Sequence, residues 1–268
     1  MAARALHDAV ARADASRRPP VLFIHGLWLR PSSWDRWVEM FEAAGYAALA
    51  PGWPAEVGGA AAPETIGEAV TYFTGIVEAL SRRPAIVGQS FGGLIAQILA
   101  GQGRSTATVA IDPAPFRGGL PPPVAAPLSA LPVPQNQVYA RRKMSPPPEQ
   151  ARYIFGNAVS KPDSEAANRV YRASASGPPI QVTANPTPRT EARVDTETSQ
   201  RGPLLVISRE NSPTAPQPVA GAVYEQQSHN RHAITELVQL WGRGFRITTD
   251  ADWHEVAQIA LAFVKRFL

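Results

Sequence analysis

Cysteine is absent from the 268 residues, which excludes disulfides, a thiol nucleophile and any cysteine metal site. Long apolar runs are lacking as well. None approaches the ~20 residues of a membrane span, and the N-terminus Met1-Ala-Ala-Arg-Ala-Leu-His-Asp-Ala-Val-Ala-Arg is broken by charge too often for a signal-peptide core. No internal repeat is visible, and no histidines and carboxylates fall at metal-ligand spacing. The formal charge is +4 and the isoelectric point lies near 9.7. Yet the basic residues come in separated groups, Arg17-Arg18, Arg82-Arg83 and Arg141-Arg142-Lys143, with no basic stripe interleaved with aromatics. They read as solvated surface rather than a nucleic-acid interface. These absences lead us to expect a cytoplasmic chain with no cofactor, no metal, no membrane and no nucleic-acid partner. What remains is a small-molecule or peptide substrate, with a mild preference for an anionic one.

The 44% hydrophobic and 18% charged fractions suit a globular fold large enough to bury a substantial core. Leu6, Val10 and Ala13 recur at helical spacing before Pro19-Pro20. Val21-Leu22-Phe23-Ile24 then reads as a strand buried on both faces, with His25-Gly26-Leu27-Trp28 at its end. Ser33 can cap a helix bearing Trp34, Trp37 and Phe41 that stops at Gly45. Tyr46 to Leu49 predicts a second strand, 57–62 a loop, and Thr65 to Leu80 a helix. Pro84-Ala85-Ile86-Val87 and Thr108-Val109-Ala110-Ile111 are further short apolar runs, the second closed by Asp112-Pro113. Beyond them proline becomes dense and strand patterns disappear until Leu204-Leu205-Val206-Ile207. A last strand over Glu236-Leu240 and a helix carrying Trp253, Val256, Ile259, Phe263 and Phe267 close the chain. Strands alternating with helices predict a parallel, doubly wound sheet. Residues 1–115 and 201–268 form its core, and 116–200 form an inserted cap or lid.

Chemistry concentrates at Gly88-Gln89-Ser90-Phe91-Gly92. A Gly-x-Ser-x-Gly run between an apolar strand and a helical pattern (Leu94, Ile95, Ile98, Leu99) predicts a strand–turn–helix elbow. Such a turn thrusts the serine out at the sheet's C-terminal edge, and its glycines let helix and strand pass closely. With Val21 to Trp34, Ile86 to Gly93, Ala110 to Pro115, Gly202 to Ile207 and Gly242-Arg243-Gly244, this order of segments resembles the α/β-hydrolase superfamily, in the branch with a His-Gly-Leu-Trp loop and a proline-rich cap.

The resemblance implies an α/β-hydrolase fold and a serine–acid–histidine triad in that chain order. Its nucleophile falls on Ser90, and its oxyanion donors fall on the backbone N–H of Phe91 and of Leu27 or Trp28. Trp28, Gln89, Phe116 and Phe245 fall where substrate contacts are expected. The supporting triad members do not match. Where the branch carries Gly-Arg-Gly-His, this chain has Gly242-Arg243-Gly244-Phe245, and Ser212 falls at the aspartate position after Leu204–Ile207. Other residues are weak substitutes. His25 belongs to the oxyanion loop, where a histidine's work is structural; His229, His232 and His254 read as surface residues. Asp112 and Glu210 end core strands and read as loop hydrogen-bonders. Losing the histidine typically costs about 10⁶ in turnover, whereas an oxyanion hole and binding retain roughly 10³–10⁴ over water.

Three functions remain open. One is a non-hydrolytic isomerase, epimerase, lyase or cyclase acting beside a carbonyl, since two backbone donors stabilise an enolate as readily as a tetrahedral intermediate. In lacking a working triad the chain is similar to the bottromycin peptide epimerase. That resemblance implies a modified-peptide or other natural-product substrate supplying its own carboxylate as base. The second is a serine esterase with a relocated histidine. The third is a ligand-binding protein without turnover.

Overall fold

The computed structural model describes residues 2–54, 63, 65–116, 193–209, 217–241 and 253–268. Among them run α1 (Ala2–Ala15), β1 (Pro20–Ile24), a 3₁₀ turn (Pro31–Trp34), α2 (Asp35–Ala43), β2 (Ala47–Leu49), α3 (Ile66–Ala79), β3 (Ala85–Gln89), α4 (Phe91–Gly101), β4 (Thr108–Ile111), β5 (Leu204–Arg209), α5 (Gln217–Ser228), β6 (Thr235–Leu240) and α6 (Trp253–Lys265). The 57–62 loop and most of the expected cap lie outside the described residues, as do Glu210, Ser212 and Phe245.

The strands form one parallel six-stranded sheet in the order β2-β1-β3-β4-β5-β6. This is the doubly wound α/β architecture that the alternation of strands and helices predicts. Strand side chains alternate between two cores because the pleat has a period of two. Leu22, Ile24, Ile86, Leu204 and Val206 join residues of α1, α3, α4 and α5 on one face. Val21, Phe23, Val87, Leu205 and Ile207 join those of α2 and α6 on the other. The central strands are therefore apolar at consecutive positions, having no solvent side to which a polar residue can turn.

Several helix ends follow from local chemistry. Thr65 caps α3 by accepting from the Glu68 amide at 3.1 Å. Gly45, at φ 96°, lets the chain leave α2 in a conformation that other residues avoid. Ser33 does not cap α2. Pro31 starts a 3₁₀ turn, which commits the Ser33 hydroxyl to the Arg30 carbonyl at 2.8 Å and makes Trp34 the residue before the helix.

At the sheet's N-terminal edge, buried Arg201 donates to Thr235 Oγ1 at 2.8 Å and to the carbonyls of Ala233 and Gln227. It thereby ties the end of α5 to the start of β6, and burial pulls its pKa down to about 10. The opposite edge is shaped by close backbone passage. A methyl group on Gly92 would strike the carbonyls of Ile24 and His25, the latter at 2.8 Å, and one on Gly88 would meet the Gly93 nitrogen at 2.8 Å. All of these obstacles are backbone atoms with nowhere to move. Gly92→Ala is therefore expected to cost about 3 kcal/mol, a fall in Tm of about 6–12 °C measurable by calorimetry.

Candidate functional site

Ser90 stands between the C-terminal end of β3 and the first turn of α4, at φ 54° and ψ −119°. A non-glycine residue in this region costs on the order of 1–3 kcal/mol and persists only where its surroundings over-determine it. Here they do. The Ser90 amide donates to the Ile111 carbonyl at 2.9 Å, while its own carbonyl accepts from Leu94 at 3.0 Å and from Ala114 at 2.9 Å. Because a peptide unit is planar and trans, turning the Ser90 carbonyl toward α4 and Ala114 directs the Phe91 N–H to the other side. That N–H meets no acceptor among the described residues.

The second wall is the loop after β1. Gly26 passes so close that a Cβ there would lie 3.3 Å from Ser90 Cβ. Its carbonyl accepts from the Leu29 amide at 3.2 Å, closing a turn over Gly26–Leu29, and lies 2.9 Å from His25 Nδ1. The acceptor assigns the proton to Nδ1. With the Gly26 carbonyl held this way, the N–H of the same peptide, Leu27's, points to the opposite side and meets no acceptor among the described residues. His25 thus orients the loop. Its ring is buried, and its own carbonyl accepts from Trp53 Nε1 at 3.1 Å.

Trp28 takes the third position of this turn at φ 66°. That position requires a positive φ and ordinarily holds glycine. Trp28 is half-buried, and its indole Nε1 is sealed from solvent without a hydrogen-bond partner. Gln89 is buried at the end of β3, and Phe116 is buried within the core on the α3–α4 side. Phe91 is half-buried against that same core.

The search for a base ends differently for each of the three candidate histidines. Among the described residues no side chain hydrogen-bonds to Ser90 Oγ. His229 and His232 are exposed in the turn between α5 and β6, where Asn230 Oδ1 accepts from the amides of His232 and Ala233. That turn enters β6 at the N-terminal edge, whereas Ser90 leaves β3 at the C-terminal edge. At about 3.3 Å per residue a strand's length, roughly 20 Å for six residues, separates them. His254 opens α6 on the same edge as Ser90, but its ring is exposed and edge-on to Trp253 at 5.4 Å. Among the described residues no group of histidine and carboxylate side chains could hold a metal ion, and no helix is long and apolar enough to cross a membrane.

The residue that sequence reasoning missed is Arg209. β5 continues two residues past the apolar run, to Ser208 and Arg209, both wholly buried. The Arg209 Nε donates to Asp112 Oδ2 at 2.6 Å, a second guanidinium nitrogen reaches the same oxygen, and the Arg209 amide donates to Oδ1 at 3.1 Å. Asp112, itself at φ 38°, donates its amide to the Ile207 carbonyl at 2.8 Å. Complete burial pushes the Asp112 carboxyl up from its ordinary value, and the Arg209 charge and hydrogen bonds oppose that rise. An aspartate held by three donors of one partner is a structural clamp between the ends of β4 and β5 rather than a free base. Nothing in the sequence pairs the two, since 97 positions separate them.

The profile of the Alpha/beta hydrolase family matches residues 21–237. Among curated protein sequences none matches. Solved structures share the fold at low identity. A monoacylglycerol lipase of Paleococcus ferrophilus superposes with a TM-score of 0.65 at 17% identity over 94% of this chain and 96% of that one. Tomato methylketone synthase I complexed with 2-tridecanone gives 0.69 at 9% identity over 94% and 99%. An Arabidopsis methylesterase gives 0.64 at 12% over 92% and 99%.

If the clamp is structural, Asp112→Asn removes the buried carboxylate charge that faces the Arg209 guanidinium and lowers stability by about 3–5 kcal/mol. Replacing both partners, Asp112→Asn with Arg209→Met, recovers most of that loss; midpoints of urea unfolding check both.

Proposed function

The chain belongs to the Alpha/beta hydrolase family, and we propose that within it this protein is a non-hydrolytic enzyme acting at the carbon beside a carbonyl. Our specific reading is an epimerase or isomerase of a modified peptide or other natural-product intermediate. The observation that carries it is a contrast at one place. Among the described residues two backbone donors, the N–H groups of Leu27 and Phe91, meet no acceptor, and Ser90 meets no imidazole.

A serine hydroxyl without an adjacent base is a poor nucleophile. Preorganised donors, in contrast, stabilise any oxygen on which negative charge develops. A substrate carbonyl seated between Leu27 and Phe91 becomes an enolate when its α-carbon loses a proton, and the charge arrives where the donors already point. The proton moves to the substrate's own carboxylate, where it exchanges with solvent, and a proton returns from there to the opposite face of the carbon. No proton is gained or lost overall, and the configuration is inverted. Ser90 contacts the substrate as a polar group. Trp28, Gln89, Phe116 and Phe245 line the site, 116–200 form the cap above the 1–115 and 201–268 core, and Phe245 keeps water away. The substitutions at Ser212 and Phe245, read from sequence, support the absence of a triad. The substrate is a small molecule or peptide with an anionic group.

A second reading is a serine esterase using a relocated base. His254 favours it, because α6 begins at the same edge as Ser90, and solved neighbours include a lipase and a methylesterase by name.

Two experiments separate these. A fluorophosphonate probe leaves Ser90 unlabelled under the first reading and labels it, with loss in Ser90→Ala, under the second. Incubation in D₂O with aspartyl-containing peptides gives deuterium at an α-carbon under the first; no exchange with any peptide, together with robust labelling, removes it. The double change Ser212→Asp and Phe245→His is expected to raise p-nitrophenyl acetate hydrolysis by about 10²-fold, a small part of what a complete triad contributes.

A further inference from the structure

The two lateral edges of the sheet are finished differently. β2, at one side, is three residues long and mostly buried. β6, at the other, runs for six residues, none of them fully buried. An open edge is a ready template for another strand, and is ordinarily blunted by shortness, lysine, proline or a bulge. Thr235-Glu236-Leu237-Val238-Gln239-Leu240 contains no lysine or proline, and its pairing with β5 is unbroken from end to end. Its one charge, Glu236, is held by Arg266 of α6 through bonds at 2.9 and 2.7 Å. The ladder fixes which backbone groups face outward. The Leu204 amide donates to the Ile234 carbonyl at 2.9 Å, so the even-numbered residues of this stretch turn N–H and C=O toward β5. Thr235, Leu237 and Gln239 turn theirs away, and among the described residues these backbone groups meet no partner. Exposed apolar side chains gather at the same place. Among the described residues the large ones are Ile234, Trp241 and Leu268, at 48%, 65% and 37% exposure. Ile234 and Trp241 bracket β6, and Leu268 lies two positions beyond the Arg266 that holds Glu236.

We infer that β6 pairs antiparallel with β6 of a second copy of this chain, joining two six-stranded sheets into one of twelve strands. A two-fold axis normal to the sheet carries each residue to the same face, so directly opposed residues have numbers of the same parity. An axis at Leu237, the middle of the three outward residues, engages all of them. Leu237 exchanges both backbone bonds with Leu237 of the second copy, and Thr235 does so with Gln239 in each half. The same register sets Ile234 opposite Leu240 and Trp241 opposite Ala233, so each exposed apolar side chain at the strand's ends meets an apolar one. Glu236 falls opposite Val238, and no charge faces its like. The strand is thus its own complement, which is what selects a second copy over an unrelated partner. Because the paired strands run in opposite directions, the two Ser90 edges open at opposite ends of the dimer.

Sedimentation velocity of the full chain is expected to show a dimer of the 28.7 kDa protein at micromolar concentration. Gln239→Pro removes an N–H that β5 does not use, a change an edge strand tolerates. It takes one bond from each half of the pairing and is expected to raise the dimer dissociation constant by about 10-fold or more. Circular dichroism checks that the variant is folded; if it is not, Trp241→Lys, at an exposed side chain, takes its place. Register is tested by cross-linking, since the chain has no cysteine of its own. Leu237→Cys lies about 5.5 Å from its own copy across the axis, within disulfide reach, and is expected to link under mild oxidation. Gln239→Cys lies about 13 Å from its copy and is expected to stay unlinked. A chain that is monomeric at about 100 μM overturns the pairing. So does a dimer that is indifferent to the edge substitution or that fails to link through Leu237→Cys.

Discussion

The active edge depends on a backbone contact in which side chains are missing. α4 starts against the carbonyls of Ile24 and His25 because residue 92 has no Cβ, and it folds back over β3 because residue 88 has none. This passage forces Ser90 into its unusual conformation and turns the Phe91 amide outward. It also brings Gly26, and with it the Leu27 amide, against the serine. A catalytic residue can change while this geometry persists, because the donors are main-chain groups and the contact is set by what glycine lacks.

Charge at the edge is distributed in the same spirit. Asp112, at the end of the strand beside β3, is spent on Arg209 inside the sheet, where the pair joins strand ends. His25 is spent on its neighbour's carbonyl. Among the described residues the Leu27 and Phe91 amides meet no acceptor, and such donors suit negative charge developing on oxygen better than they suit activation of a nucleophile. The chain is thus a member of the Alpha/beta hydrolase family, built on its scaffold.

Much of the fold was legible because its signals are local. Unbroken apolar runs at 21–24, 108–111 and 204–207 had no reading other than buried strands. Thr65 and Gly45 marked helix ends by side-chain chemistry or its absence. Ser33 misled because Pro31 competes for the same stretch and starts a tighter turn. The site was half legible. Gly88 to Gly92 carries its geometry in its residue types, whereas the substitutions expected at Ser212 and Phe245 lie outside the described residues. Which way the peptides after His25 face was not visible, because it depends on which carbonyl His25 and Leu29 hold.

The sequence by itself determined the layered α/β architecture, the elbow and the lack of cysteine chemistry, since each follows from short-range pattern or composition. It also left His229, His232 and His254 alike, as polar residues in polar surroundings. Only the tertiary structure separated them, by putting His229 and His232 at the strand entrance and His254 at the strand exit. The same holds for Arg209 and Asp112. Their pairing crosses 97 positions and arises because β4 and β5 lie side by side in the sheet. Long-range contacts of this kind are decided by strand order, and strand order is a property of the packed sheet rather than of any one segment.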